Sequence, residues 1–484
     1  MKKLISLLLS VLILFAFCGC EKKDENDSGT ADNISAKESI LNLAYSISED
    51  LDPFAVKTVI NTQLMSLVYD GLYKLDKTYK PIPTVAKSGI VSETTVNITL
   101  DNVRFSDGSN VTAPDVAYSF NRAKESPAYK TKLADFESVD VTANNMLMFH
   151  LTAPNAYALS DLTFPIIKNG ALGLMPVGCG RYVFQQDGEK SYLIVNTNKS
   201  GFNPTIKTIT LVPVRGDDYL QSSLEIGNIG FCFNDLSSGE YSRINAHSVE
   251  MGINNFVYLG INYESSIFSD VSIRKAINLV IDRSEIANTA FQGHARAVYS
   301  PFNPDWYALA SKDLTVSGTK EEAEKLIEES ETDIAYRDIS ILVNQANPFK
   351  VEAAELIGKK LESIGFAVTI KDYTAEYYLD ALDSGAYDLY IGEYKLTPDM
   401  DLNPLFSGDL KIGIDPECVS AARYNQLLNG KCELMDFVNT FNEDLPVIPL
   451  CYRNAVASYT NSTNADFACC EGDVYFDIET WRYK

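Results

Sequence analysis

Carboxylates dominate the groups in this chain that could do chemistry: 65 Asp and Glu stand against 41 Lys and Arg, with three His and nine Cys. At that density some carboxylates are neighbours by chance, so the sequence singles out no general acid–base couple. His150 falls in the apolar run Met146–Leu151, and His247 and His294 lie in polar or Gly-containing stretches. No two of them have the spacing of metal ligands. The chain has no His-Glu-x-x-His, no Gly-x-Ser-x-Gly, no phosphate loop and no Cys-x-x-Cys, the patterns through which common hydrolases, nucleotide enzymes and redox sites are recognised. Catalysis has no positive support. The expectation is a protein that is not an enzyme and carries no cofactor or metal.

One cysteine does have a defined chemistry. Met1-Lys2-Lys3, the apolar run Leu4–Phe17 and then Cys18-Gly19-Cys20 form a basic segment, a hydrophobic segment and a small residue at a cut site, which is the layout of an export signal. The apolar run has 14 residues, whereas a membrane-spanning helix needs about 20. Gly19 before Cys20 resembles a bacterial lipobox, in which the peptide is cut after a small residue and the Cys20 thiol carries diacylglycerol. Residues 1–19 are thus expected to be a signal peptide. Residues 20–37, charged and almost without large apolar side chains, are expected to be a disordered tether. A bridge between Cys418 and Cys432 is left open, because separation along the chain does not show that two β-carbons can meet.

The elements that must position any site follow from patterning. More than 400 residues remain after the tether, more than one core of about 250 residues accommodates, so several lobes are expected. Without Lys2 and Lys3, 39 basic residues face 65 acidic ones, a balance that repels nucleic acid and anionic headgroups. Val96–Leu100 alternates apolar with polar and precedes the turn Asp107-Gly108; Thr112 then caps a helix with Pro114 in its first turn. Further strands are read at Met146–Leu151, Tyr182–Gln185, Tyr192–Asn196 and Ile206–Val214.

In the second half, Ile339–Val343 reads as a strand, Val351–Ile364 as a helix ending at Gly365, and Phe366–Ile370 as a strand. Ala375–Asp383 then reads as a helix stopped by Gly385, and Tyr387–Gly392 as a strand. Strands alternating with helices predict a parallel, covered sheet with a ligand crevice at the strands' carboxyl ends. The Gly392-Glu393-Tyr394 turn lies at such an end.

Several separated blocks together resemble the family 5 extracellular solute-binding proteins, which include oligopeptide- and dipeptide-binding proteins. They are Leu51-Asp52-Pro53-Phe54, Val68-Tyr69-Asp70-Gly71-Leu72 and Pro83-Thr84-Val85-Ala86, then the stretch from Val103-Arg104-Phe105-Ser106-Asp107-Gly108 through Thr112-Ala113-Pro114-Asp115-Val116. Pro176 to Tyr182, Asp270 to Asn278 with Ile281-Asp282-Arg283, Ala354 to Gly358 and Ser384 to Asp388 complete the set in family order.

The resemblance implies an α/β, two-lobed periplasmic-binding-protein-like fold with an additional inserted small domain. Lobe I would comprise residues 38–66, 176–258 and 446–484, the inserted subdomain 67–175 and lobe II 259–445, with crossings near Val257–Asn262 and Val447–Tyr452. The implied function is the substrate-binding component of an ABC importer, a monomer tied to the membrane by its lipid alone. It would capture a peptide-like solute between the lobes and deliver it to permease and ATPase subunits. An oligosaccharide or metal-chelate solute, or a surface receptor not coupled to import, is the alternative. By position, the solute would meet Tyr45, Ser46, Cys179, Gly392, Glu393, Tyr394 and Thr397, with Asp399 or Asp401 supplying charge. Peptide-binding relatives carry an aspartate where Thr397 stands, a departure that separates this chain from them.

Overall fold

A computed structural model describes residues 40–483 apart from 172, 217, 310–313, 317, 331–337, 408–413, 415–416, 465–466 and 468. The expected export signal and tether, with Cys20, lie outside the described residues. Among the described residues no helix is long and apolar enough to cross a membrane.

The strands that build the fold are β1 (Ile40–Ser46), β2 (Tyr73–Leu75), β3 (Pro81–Pro83), β4 (Ala86–Ser92), β5 (Thr95–Leu100), β6 (Phe136–Ala143) and β7 (Met146–Leu151). They continue with β8 (Tyr182–Asp187), β9 (Lys190–Val195), β10 (Thr208–Val214), β11 (Phe231–Asn234), β12 (His247–Ile261) and β13 (Ala295–Ala297). The last are β14 (Asp338–Asn344), β15 (Ala367–Tyr373), β16 (Leu389–Lys395) and β17 (Ile448–Tyr459).

One sheet runs in the order β15-β14-β16-β12-β17-β11-β1-β10-β9-β8, with β13 on β17. At one end β14 pairs in parallel with both β15 and β16. The helix Pro348–Glu362 makes the crossover, its first turn capped by the Asn347 side chain accepting from Lys350 N at 3.1 Å. Five consecutive buried residues in β14 are what a parallel strand covered on both faces requires. Gly365 (φ 103°) and Gly385 (φ 67°) take left-handed conformations just beyond their helices, which a β-carbon would oppose.

The segment between the first helix (Val59–Val68) and β8 adds a four-stranded antiparallel sheet, β4-β5-β7-β6, and the helix Ala113–Glu125. That helix begins with a reciprocal cap in which Asp115 Oδ2 accepts from Thr112 N at 2.9 Å. Its Phe120 meets Phe136 and Phe149 edge to face at 6.3 and 5.2 Å. The apolar core of this segment is continuous with that of β1 and the C-terminal Trp481. Separate cores form around Ile341 and Phe349, and around Phe256, Trp306 and Tyr424.

β12 and β17 carry the chain across. β17 pairs with β11 through Val456–Tyr459, and β12 pairs with β16 through Asn255–Ile261. Between those stretches the β12–β17 ladder shifts register: Gly252 faces Asn454, but the next partners are Phe256 and Tyr452. Three residues of β12 thus bulge opposite Arg453. The change of partners falls at Gly252–Phe256 and Arg453–Val456, a few residues from the Val257–Asn262 and Val447–Tyr452 crossings read from sequence. Hydrophobicity marks where strands are buried and not where their partners change, because burial in β12 and β17 continues across the point at which the partner changes.

Candidate functional site

The bulge places two asparagines in the middle of a sheet. Asn254 is fully buried, so each of its polar groups must find a partner. Its Nδ2 donates to the carbonyl oxygens of Leu396 (3.0 Å) and Thr397 (2.9 Å), and its Oδ1 accepts from Asn303 Nδ2 at 3.1 Å. Its backbone N–H donates to Glu471 Oε2 at 2.7 Å, and its carbonyl accepts from Leu396 N at 2.9 Å. Glu471 also accepts from the Tyr79 hydroxyl (3.1 Å) and pairs with Lys395 (3.0 Å). The neighbour Asn255 donates Nδ2 to Glu393 Oε1 at 2.7 Å. Together they fix the end of β16 and the loop that follows.

Glu393 belongs to the floor of this region. It pairs with Lys350 Nζ and Arg453 Nε, both at 2.7 Å, and Arg453 Nη1 donates to the Asp235 carbonyl at 2.8 Å. Burial alone would raise the Glu393 carboxyl, but the Lys350 and Arg453 charges outweigh it and hold it at about 2. Gly392 sits one residue earlier because a β-carbon there would lie 2.4 Å from the Tyr258 ring. Its role is packing.

The loop Leu396–Leu402 carries the carboxylates. Asp399 Oδ1 accepts from Thr397 Oγ1 (2.5 Å) and Asp401 N (3.2 Å), while Oδ2 accepts from Asn155 Nδ2 at 2.6 Å. Asp401 Oδ1 accepts from Asn403 N (2.8 Å) and the Tyr424 hydroxyl (3.2 Å). Met400 between them is buried at φ 65°, a conformation costing ~1 kcal/mol or more for a residue with a β-carbon. It persists because both flanking carboxylates are tied down. Burial and the Asp399 charge push Asp401 up to about 7, and burial followed by the Asp401 and Asp399 charges pushes Tyr394 up to about 12.

A small cavity opens here, lined by Asp135, Asn155, Tyr157, Trp306, Asp399 and Asp401 among others. It lies where the inserted segment meets the other lobe. Tyr157 packs edge-on to Trp306 at 4.7 Å, Tyr307 N donates to Thr78 O at 2.9 Å, and Asn303 Nδ2 donates to the Tyr79 hydroxyl at 3.1 Å. The wall combines carboxylates with aromatic faces, a lining suited to a compact cationic group.

The structure thus gathers Tyr394, Thr397, Asp399 and Asp401. Tyr45 and Ser46 end β1, paired with Pro213 and Val214. Ser46 spends its polar groups locally: its N–H donates to Asn61 Oδ1 at 2.9 Å, its carbonyl accepts from Asn61 Nδ2 at 3.0 Å, and its hydroxyl shares a bond with Ser48. Cys179 needs correction as a solute contact. It is wholly buried in the first core, with its thiol pushed up to about 12 chiefly by burial. Its neighbour Gly180 packs so tightly that a β-carbon would lie 2.4 Å from the Val68 carbonyl carbon. The turn serves packing.

Sequence reasoning missed Asn254, Asn303, Asp135, Asn155 and Trp306. Asn254-Asn255, a polar pair inside the apolar run Ile253–Ile261, was the available signal, since it breaks alternation where a bulge breaks the ladder. Nothing in the sequence marked the rest. His150 pairs with Asp140 (2.9 Å), His294 with Glu250 (2.6 Å), and His247 stacks on Tyr459. Among the described residues no His, Cys, Asp and Glu group is arranged to hold a metal. The described cysteines form no disulfide. Cys418 accepts from Ala421 N at a helix start, and Cys432 donates to the Arg423 carbonyl.

Separate cores linked by crossing strands, with a small cavity between the inserted segment and the loop Leu396–Leu402, define a two-lobed protein. The chain belongs to the bacterial extracellular solute-binding proteins, family 5, whose middle-region model matches residues 80–409. It is 24% identical over 271 residues to the glutathione-binding protein GsiB of Escherichia coli K12, covering 51% of this chain and 52% of GsiB. Protein XP55 of Streptomyces lividans is likewise 24% identical over 286 residues, covering 52% of this chain and 51% of XP55. The chain spans about half the length of the curated relatives it matches. Among solved structures, the substrate-binding protein CtaP of Listeria monocytogenes aligns with a TM-score of 0.71 and 18% identity, over 92% of this chain and 99% of CtaP. NikA of Brucella suis, in complex with Fe(III)-EDTA, aligns at 0.69 and 16%, over 92% and 100%. The two-lobed fold is shared with both.

The floor makes a pH-dependent prediction. A carboxyl held at about 2 instead of its ordinary 4.5 contributes stability above pH 4.5 that is lost as pH falls toward 2. Glu393→Gln should destabilise the protein by ~3 kcal/mol at neutral pH, because Arg453 and Lys350 are left uncompensated. Urea unfolding of both proteins should show that gap shrinking below pH 4.5. A gap independent of pH would mean that the ion pairs are not its source.

Proposed function

We propose that this protein is the substrate-binding component of an ABC importer, capturing a peptide-like solute between its lobes and passing it unaltered to a permease driven by an ATPase. The observation that supports this reading is the small cavity at the seam, where Asp135, Asp399 and Asp401 stand among the aromatic rings of Tyr157, Phe302, Trp306 and Tyr424. An extended peptide suits such a cleft because its backbone can pair with strand edges whatever its side chains, while a charged end takes a fixed anchor. The names of relatives agree with this solute class: GsiB is glutathione-binding, and the Bacillus subtilis oligopeptide-binding protein AppA was solved with a nonapeptide (TM-score 0.59). A metal chelate like that of NikA fits less well. Several carboxylates at close range repel an anionic complex, and Thr397 leaves Asp399 and Asp401 to supply the negative charge.

The membrane connection in this reading is the Cys20 lipid. A single acyl chain attaches only marginally, so the several chains of a lipoprotein are needed for firm anchoring. Mass analysis of protein extracted from membranes should find an acylated N-terminal Cys20, and Cys20→Ala should move the protein to the soluble fraction. A Cys20→Ala protein that stays acylated and membrane-bound would sink the assignment.

Native mass spectrometry of the protein as purified should reveal a co-purified solute with a cationic end. Calorimetry on that solute then compares wild type with Asp399→Asn, Asp401→Asn and Tyr394→Ala. A desolvated charge-assisted hydrogen bond contributes ~1.5–3 kcal/mol, so neutralising the anchor should weaken binding about ten- to a hundredfold. Unchanged affinity in both aspartate variants for a cationic solute would place the anchor elsewhere.

A further inference from the structure

Trp306 brings to the seam a donor that no contact described so far uses. The residue is 1% exposed, and its Nε1 has no hydrogen-bond partner among the described residues. The second tryptophan shows the ordinary arrangement of a buried indole: Trp481 Nε1 donates to Asp477 Oδ1 at 2.7 Å. An indole N–H is a donor only, and a buried donor without an acceptor carries its desolvation cost uncompensated. Trp306 lines the same cavity as Asp135, Asn155, Asp399 and Asp401.

The ring is held from several sides. Tyr157 packs edge to face on it with centroids 4.7 Å apart, Phe302 lies at 5.1 Å and Tyr307 at 6.1 Å. Its backbone N–H donates to Asn303 O at 3.0 Å, and its carbonyl accepts from Leu309 N at 2.9 Å. A donor fixed in this way is already oriented when a solute arrives, with little further ordering cost. Other donors of the cavity wall are engaged with its carboxylates: Asn155 Nδ2 donates to Asp399 Oδ2 at 2.6 Å, and the Tyr424 hydroxyl to Asp401 Oδ1 at 3.2 Å.

We infer that the Trp306 indole N–H is a specificity-determining donor of the solute site. A solute end that suits it carries an oxygen acceptor beside its cation, so that the cation meets the carboxylates while the oxygen accepts from Trp306. The carboxylates also decide the charge of that oxygen. A further anion among Asp135, Asp399 and Asp401 is repelled, so the acceptor is a neutral carbonyl. An ammonium group one carbon away from an amide carbonyl meets both conditions. A plain alkylamine leaves the indole N–H buried and unmet in the complex, and a free amino acid brings a carboxylate. A site built to hydrogen-bond a polar group rejects an analogue lacking it far more strongly than an apolar pocket rejects a change of size.

This deepens the proposed function by naming what the solute end must carry, and it rests on that reading, because Trp306 selects only among solutes that enter the cleft. The chain has two tryptophans, so nuclear magnetic resonance of the indole N–H groups gives two signals, assigned with Trp481→Phe. The protein is titrated with L-alaninamide, sec-butylamine and L-alanine at about pH 6.5, where all three carry an ammonium group. L-alaninamide should move the Trp306 signal downfield and leave that of Trp481 in place. The other two should bind at least about tenfold more weakly. Trp306→Phe keeps an aromatic ring without the donor and should bring L-alaninamide and sec-butylamine within about twofold of each other. If Trp306→Phe does not fold, benzothienylalanine incorporated at position 306 of Trp481→Phe protein removes the N–H from a ring of nearly the same shape.

Equal affinity of the wild type for L-alaninamide and sec-butylamine would overturn the inference, as would a preference that persists without the N–H. A Trp306 signal unmoved by bound L-alaninamide would do the same, placing the N–H on the face of a neighbouring ring. L-alanine bound as tightly as L-alaninamide would overturn the neutral acceptor. Equal binding of the two amines leaves solute capture intact and removes only selection by Trp306. Binding of none of the three, with no co-purified solute, would remove the underlying reading as well.

Discussion

The site depends on where the buried side chain of Asn254 sends its hydrogen bonds. A strand that bulges by three residues in the middle of a sheet leaves backbone groups without ladder partners, and an orphaned buried polar group costs about as much as a lost hydrogen bond. Here those groups are redirected outward. Asn254 N–H turns to Glu471, its carbonyl and side-chain amide hold Leu396 and Thr397, and its Oδ1 holds Asn303. One residue on the crossing strand thereby ties together the C-terminal segment, the carboxylate loop and the lobe surface that carries Trp306. The loop cannot move far while that residue stays in place, and a shift in the crossing is felt by the loop.

Electrostatics then separates the floor from the seam. On the floor, Glu393 lies between two cations and an amide, a fully partnered buried ion cluster that fixes β16 against β17. At the seam, Asp135, Asp399 and Asp401 line one small cavity. The first arrangement stabilises the fold; the second gathers negative charge that a solute cation would offset. The raised Asp401 carboxyl, the left-handed Met400 and the Trp306 indole N–H, which has no partner among the described residues, all fall at this seam. Such concentration of strain and unmet polarity is characteristic of binding sites rather than scaffolds.

The parallel unit of the second lobe was legible because each of its signals is local. Ile339–Val343 is apolar because both faces are covered, and Gly365 and Gly385 stand where helices need a left-handed residue. Tyr394 and the loop that carries Thr397, Asp399 and Asp401 could be found by their place at a strand's end. Cys179 could not be judged the same way: a Gly-Cys-Gly turn looks the same in sequence at a cleft rim as in a core, and only the approach of the Val68 backbone distinguishes them. Asp135 and Asn155 were invisible because their meaning comes from sharing a cavity with Asp399, more than 200 residues away in the chain. The bulge in β12 was not legible for a related reason, since a bulge is a property of two strands and the apolar pattern of one does not show it.

The claim that Asn254 organises the site is tested most directly by hydrogen exchange, read by mass spectrometry, on wild-type and Asn254→Ala protein without solute. Removing the side chain leaves the Leu396 and Thr397 carbonyls buried without their donor, at ~1–3 kcal/mol each. Peptides covering Leu396–Leu405 should then exchange at least about tenfold faster, since each 1.4 kcal/mol of lost protection is a factor of ten. Peptides from β14 and the helix Pro348–Glu362 should keep their wild-type rates. Wild-type protection across Leu396–Leu405 in the variant would contradict the account, because the loop would then be held by contacts that do not pass through the bulge.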